Sequence, residues 1–198
     1  MISSEYANAI GDDILAIDWV ERFGGMTCLA KNNDGVIVPV SEHIDVVKCF
    51  DTNHYKENIP DAQYKGFVYL EEAGDSTTKD SVAGLKTYIQ PIRMIAWINY
   101  PKAGFANTSV LPFRPLMKIA ASVLVSIGDG ISGSHISGLK VLTKDNVRRL
   151  FDRYNYGPDT HPLLSWPYGA FVMEYNLHGT INIDCLPENA GGPEIECT

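Results

Sequence analysis

Residues 116–127, LMKIAASVLVSI, form the most apolar run in the chain. Leu116, Ile119, Ala120, Val123, Leu124 and Ile127 recur at the three- and four-residue spacing of one helical face, and Pro115 preorganises the first turn. The opposite face offers only Lys118, Ala121, Ser122 and Ser126, so the spacing predicts a helix covered on two sides and ended by Gly128. A chain of 198 residues built on such an element can bury about 70% of the surface its unfolded form exposes, which predicts one substantial core. This run organises a fold and carries no chemistry of its own.

Seventeen glycines and 11 prolines imply many turns and argue against a long helical bundle. A formal charge of -8 leaves little basis for a sequence-independent grip on nucleic acid, which needs clustered Lys and Arg. The one basic cluster, Lys144, Arg148, Arg149 and Arg153, alternates with Asp145 and Asp152 and reads as a solvated helix face. Cys28, Cys49, Cys185 and Cys197 form no CxxC pair, and MISSEYANAI lacks the pattern of a signal peptide, which together predict free thiols in a reducing compartment. No run reaches the eighteen or so apolar residues of a membrane span.

Along the chain, Ser3 or Ser4 can cap a short helix over 5–10 that Gly11, Asp12 and Asp13 break. Residues 14–23, ILAIDWVERF, have apolar side chains at both even and odd positions before Gly24-Gly25 and read as a strand. The turn signal Asn32-Asn33-Asp34-Gly35 predicts a hairpin between 26–30 and 36–40, with Pro39 at its edge. GFVYL at 66–70 reads as a strand, and 71–84 as a polar loop long enough to reach a partner. The β-branched and aromatic run 85–100 predicts a long, bent strand divided by Pro91. Four glycines in 128–138 predict a flexible connection before a brief extended piece at 139–142. Thr143 then caps a second helix over 144–155, with Val147, Leu150, Phe151 and Tyr154 on one face. The last strands are expected at 168–177 and 180–186, joined as a hairpin at His178-Gly179. This order predicts a single α+β domain over 1–186, a mainly antiparallel sheet packed against two principal helices (116–127 and 144–155), and an extended tail, 187–198, that orders only by docking.

Chemistry is harder to find. Gly128-Asp129-Gly130-Ile131-Ser132-Gly133 fits G-x-G-x-x-G, but that fingerprint must leave a strand and open a helix, and neither flank fits. The histidines, His43, His54, His135, His161 and His178, lack metal-ligand spacing and read as satisfied or exposed. Ser132, Ser134, His135 and Asp129 crowd together in sequence without a GxSxG elbow, and Glu71-Glu72 and Asp12-Asp13 point to opposite sides of an extended chain. No catalytic, cofactor-binding or metal residue is assigned. Tyr55, Tyr64, Tyr154, Tyr156 and Tyr168 sit in or beside expected loops, where such rings serve contacts with other chains or are partly buried under the loops.

The segments AIDWVERFGGM (16–26) and VIVPVSEHID (36–45), the central helix, and FVMEYNLHGTINIDC (171–185) follow one another over most of the chain. In that order they resemble the small tail-completion, tail-terminator or neck (head–tail connector) proteins of tailed bacteriophages, from whose minimal form the 71–84 loop and the tail depart. The resemblance implies a structural virion protein, assembled in the host cytoplasm, that forms a ring of copies at the head–tail junction or the tail end. Its expected partners are other copies and neighbouring connector or tail-tube proteins. It implies no catalysis, no cofactor, no sequence-specific nucleic-acid binding and no membrane. Candidate assembly contacts are Glu71, Glu72, Asp75, Lys79 and Asp80 in the loop, Tyr156 and Trp166, and Pro187, Glu194 and Ile195 in the tail. Two other readings remain: a small-molecule-binding or enzymatic domain using 128–138, and an adaptor subunit of a cellular complex.

Overall fold

A computed structural model describes residues 2–31, 37–42, 55–80, 85–105, 113–122, 131–143, 150–151, 154, 156 and 160–182. Helix α1 (Ile2–Leu15) opens the chain, followed by β1 (Arg22–Lys31), β2 (Ile37–Glu42), β3 (Tyr55–Glu57), β4 (Gly66–Glu72), β5 (Thr77–Asp80) and β6 (Leu85–Asn99). Helix α2 (Phe113–Ser122), β7 (Ile131–Thr143), a 3-10 turn at His161–Leu164 and β8 (Tyr168–Asn182) complete it. The strands form one eight-stranded sheet in the order β3-β2-β1-β4-β6-β8-β7, with β5 also paired to β6. The α+β class holds. The sheet is mixed, because β1 and β4 run parallel while the other pairs are antiparallel.

The amino-terminal expectation is overturned over 14–21, which is helix end and turn, the strand beginning only at Arg22, and the helix does not stop at Gly11. Ser3, Tyr6, Ala7, Ile10 and Ile14 make one buried stripe along α1, and that burial outweighs the roughly 1 kcal/mol that a helical glycine costs. A Cβ at Gly11 would meet the ring of Phe23 at 3.4 Å, an ordinary contact, so packing does not require glycine there. After Leu15, hydrogen bonds from Ala16 N to Asp12 O and from Ile17 N to Ile14 O tighten the chain into the turn before β1. Strand β1 then pairs with β2 as the hairpin pattern predicts, Cys28 opposite Val40 and Ala30 opposite Val38, while the turn residues lie outside the described set.

Strand β4 is buried through GFVYL because the sheet is covered on both sides. On the first face, α1 and α2 pack over Val68, Leu70, Ile92, Met94, Met173 and Tyr175, with Tyr6 donating to Ala120 O at 3.3 Å between the helices. On the second, Phe67, Tyr69, Ile95, Trp97 and Val172 lie under Leu150, Phe151, Tyr154, Tyr156 and Leu164. Trp97 stacks between Phe67 and Tyr168 and donates its indole N–H to Leu163 O at 2.7 Å.

Strand β6 runs unbroken from Leu85 to Asn99, as its composition predicts, and pairs with β8 over its whole length. Pro91 does not divide it. The proline, which has no N–H to give, sits where the neighbour on the other side changes from β4 to β5, and Ala73 N donates to Pro91 O at 2.9 Å. Three further expectations are corrected. Residues 71–84 are not one loop, since Glu71 and Glu72 end β4 and Thr77–Asp80 is a strand. Residues 131–138 belong to the thirteen-residue β7, so the glycines there are strand and bulge positions. His178-Gly179 is no turn, because β8 passes straight through it. Of the two expected principal helices, 116–127 is seen as Phe113–Ser122, 144–155 lies mostly outside the described residues, and the second helix on the sheet is α1.

Candidate functional site

Alternation along β4 sends Phe67, Tyr69 and Glu71 to the second face, where the carboxylate of Glu71 is 4% exposed. Tyr154 donates its hydroxyl to Glu71 Oε1 and receives one from Tyr69 at 3.0 Å. Tyr156 donates to Asn58 O at 3.3 Å, and Asn58 Nδ2 donates to Ser41 Oγ at 2.7 Å. Gly24 is required beside this pair, because a Cβ there would stand 2.7 Å from Asn58 Oδ1 and 2.8 Å from Ser41 Oγ. Burial first, and the charge of Glu71 second, push the Tyr156 hydroxyl well above its ordinary range. Through these hydrogen bonds the cluster clasps Tyr154 and Tyr156 to the sheet.

Beyond the clasp the same face turns polar. Arg93 on β6 meets Glu174 on β8 at 2.6 Å, with Lys140 of β7 next in register. Two positions along β8 from Asn176, His178 lies opposite His135, the rings stacked at 4.5 Å and 14°. Ser137 Oγ is 2.7 Å from His178 Nε2. A register shift between Ser137 and Lys140, with Gly138 at φ +66, marks a bulge of the kind that re-aims side chains. Burial, then His135, then Lys79 of β5 lower the His178 pKa, so at neutral pH its ring is uncharged.

The two edges of the sheet differ. Strand β3 has three residues and β7 thirteen, and among the described residues no strand pairs with the far side of either. Large apolar side chains stand exposed at Leu29 and Ile37 on the β1–β2 hairpin, at Leu15, and at Trp166, which is 68% exposed and stacks on Tyr100.

Of the candidate contacts, Glu71 is buried in the clasp and Tyr156 beside it, so neither side chain stands at the surface. Glu72 accepts a hydrogen bond from Ser3 of α1. Asp75 lies in the connector after β4, Lys79 is exposed on β5 with Asp80 ending that strand, and Trp166 is exposed. Pro187, Glu194 and Ile195 lie outside the described residues, as do His43 and His54. Cys28 is a free thiol, and the other three cysteines fall outside. Sequence reasoning missed the joining of Ser137 with His178. The available signal was that Phe171, Met173, Tyr175 and Leu177 alternate with Glu174, Asn176, His178 and Thr180 without a break, which marks one continuous strand and not its partner. Among the described residues no group of three or more His, Cys, Asp or Glu is gathered as for a metal, and no helix is long and apolar enough to cross a membrane. No family model matches the chain, and no curated protein is significantly similar to it.

Proposed function

We propose that the protein is a structural assembly subunit, a ring-forming virion protein of the head–tail junction or tail end of a tailed phage. The observation that carries the assembly part is the contrast between the two sheet edges. A three-residue edge offers little to a partner, whereas β7, unpaired on one side among the described residues, offers thirteen residues of backbone. Joining one long edge to a different patch on the next copy is a heterologous contact, which closes as a ring when the rotation fits. The resemblance of 16–26, 36–45 and 171–185 to phage neck and terminator proteins supplies the setting. Imaging of the purified full chain should show closed rings, and hydrogen exchange should show β7 amides gaining protection on assembly. A chain that stays monomeric at every concentration, with β7 amides unchanged, would refute the reading. The contact between Ser137 and His178 favours a second reading, a ligand-binding or enzymatic domain, and labelling of Ser137 by a serine-directed fluorophosphonate is its test.

A further inference from the structure

Resting on the assembly reading, we propose that the polar half of the second sheet face docks the acidic segment 183–198 of a neighbouring copy, whose carboxylates are held by Lys79, Lys140, His135 and the Ser137–His178 pair. Charge is the first argument. The groups facing this surface are Lys79 from β5, Arg93 from β6, His135 and Lys140 from β7, and Glu174 from β8, and Glu174 is engaged by Arg93. A chain of net charge -8 thus gathers, among the described residues, an excess of positive charge on one sheet surface. Residues 183–198 carry Asp184, Glu188, Glu194 and Glu196 and no Lys or Arg. Half-buried Ile89 and Pro91 give the surface an apolar floor, and the segment brings Leu186 and Ile195 to cover it.

Spacing is the second argument. Lys79 pairs opposite Thr87, while Lys140 pairs opposite Glu174, which pairs opposite Arg93. Three strand spacings across and six residues along separate the two lysines by roughly 24 Å. An extended stretch from Glu188 to Glu196 spans roughly 26 Å, so its two ends can reach both. Direction assigns the segment to a neighbour. Strand β8 runs from Glu174 through His178 to Asn182 and so leaves the patch heading away from it. To reach its own copy the segment would have to reverse, whereas a neighbouring copy ahead of β8 would require no reversal. Docked carboxylates favour the charged form of His178, so docking takes up a proton there and tightens as the pH falls.

The test compares the full wild-type chain with Lys79→Glu/Lys140→Glu, whose two side chains are exposed, and with Glu188→Lys/Glu194→Lys/Glu196→Lys. Hydrogen exchange of 183–198 and sedimentation are measured together at pH 6 and pH 8. The segment should be protected in the wild-type assembly, more so at pH 6. Each variant should lose at least tenfold in protection, and combining all five substitutions should restore part of it. Equal protection in Lys79→Glu/Lys140→Glu, or none in the wild-type assembly, overturns the docking while leaving the assembly reading intact. If the chain proves monomeric, a synthetic 183–198 peptide is added to it. Binding that both lysine substitutions abolish keeps the docking site while the assembly reading falls, and no binding removes both. Carbodiimide cross-links in mixed isotope-labelled copies should join Lys140 to Glu194 between copies, and links confined to one copy overturn the neighbour as donor.

Discussion

Replacing Gly66 with alanine tests the central packing directly. This residue opens β4 opposite Ile98, and its carbonyl accepts a hydrogen bond from Glu21 N at 3.0 Å. A Cβ there would stand 2.7 Å from Trp19 Cε3 and 2.8 Å from Trp97 O, where ordinary contact begins near 3.4 Å. Neither neighbour yields easily, since the Trp19 ring is 3% exposed and the Trp97 carbonyl is backbone held between β4 and β8. Overpacking of this kind costs about 1–3 kcal/mol, reduced by the smaller entropy an unfolded alanine loses. For a chain of this length, that lowers Tm by roughly 2–12 °C. Gly74→Ala is the control, because a Cβ there meets nothing within 4 Å, and it should be neutral or stabilise by up to about 1 kcal/mol. Calorimetry and urea unfolding of the three proteins decide the matter. A Gly66→Ala protein that melts with or above the wild type would show that Trp19 does not close over β4.

Tyr154→Phe removes a donor from the buried Glu71 carboxylate and should cost about 1.5–3 kcal/mol by urea unfolding, with the loss less than additive when combined with Glu71→Gln. Burial pushes the Tyr6 hydroxyl up to about 12 and Tyr175 upward as well, so the folded state keeps protons that the unfolded state releases from pH 10. Stability from Tyr6 is therefore complete below pH 10 and is lost between pH 10 and 12, on the order of 2–3 kcal/mol, which alkaline unfolding titrations should register. His178 has a lowered pKa, so its contribution is present above pH 6.5 and is lost as the pH falls below that through the lower folded-state value. Its NMR titration midpoint should lie below 6.5 and rise in Lys79→Met and in His135→Gln.

What could be read from the sequence was what depends on neighbours along the chain. The 85–100 strand, the 66–70 strand and the antiparallel pairing of the strands flanking 32–36 each rest on composition and local pattern, and all three are present, the turn itself lying outside the described residues. The start of the chain misled for a physical reason, because Gly11-Asp12-Asp13 looks like a stop until the burial of Ile14 against a sheet formed by distant residues is counted. In the same way, β5 has only Thr, Thr, Lys and Asp to recommend it, and is a strand because the edge of β6 between Lys86 and Ile89 receives it. The clasp and the His135–His178 stack were beyond local reasoning, since they join residues 83 and 43 positions apart respectively.

The ladder between β6 and β8 carries a consequence for how the chain is made. Leu85 pairs with Asn182 and Asn99 with Tyr168, so every rung joins residues about 70 to 100 positions apart. Such a topology places the fold among slow formers, because a loop of that size must close before any rung rewards it. At about 5–20 residues per second, β6 waits on the ribosome for roughly 4–17 s between the synthesis of Asn99 and that of Asn182. During that interval Ile92, Met94, Ile95 and Trp97 lack the strand that will cover their edge. Production of this protein is accordingly a race between the arrival of β8 and the capture of β6 by another nascent chain, and slower synthesis after Asn99 should lower the soluble yield.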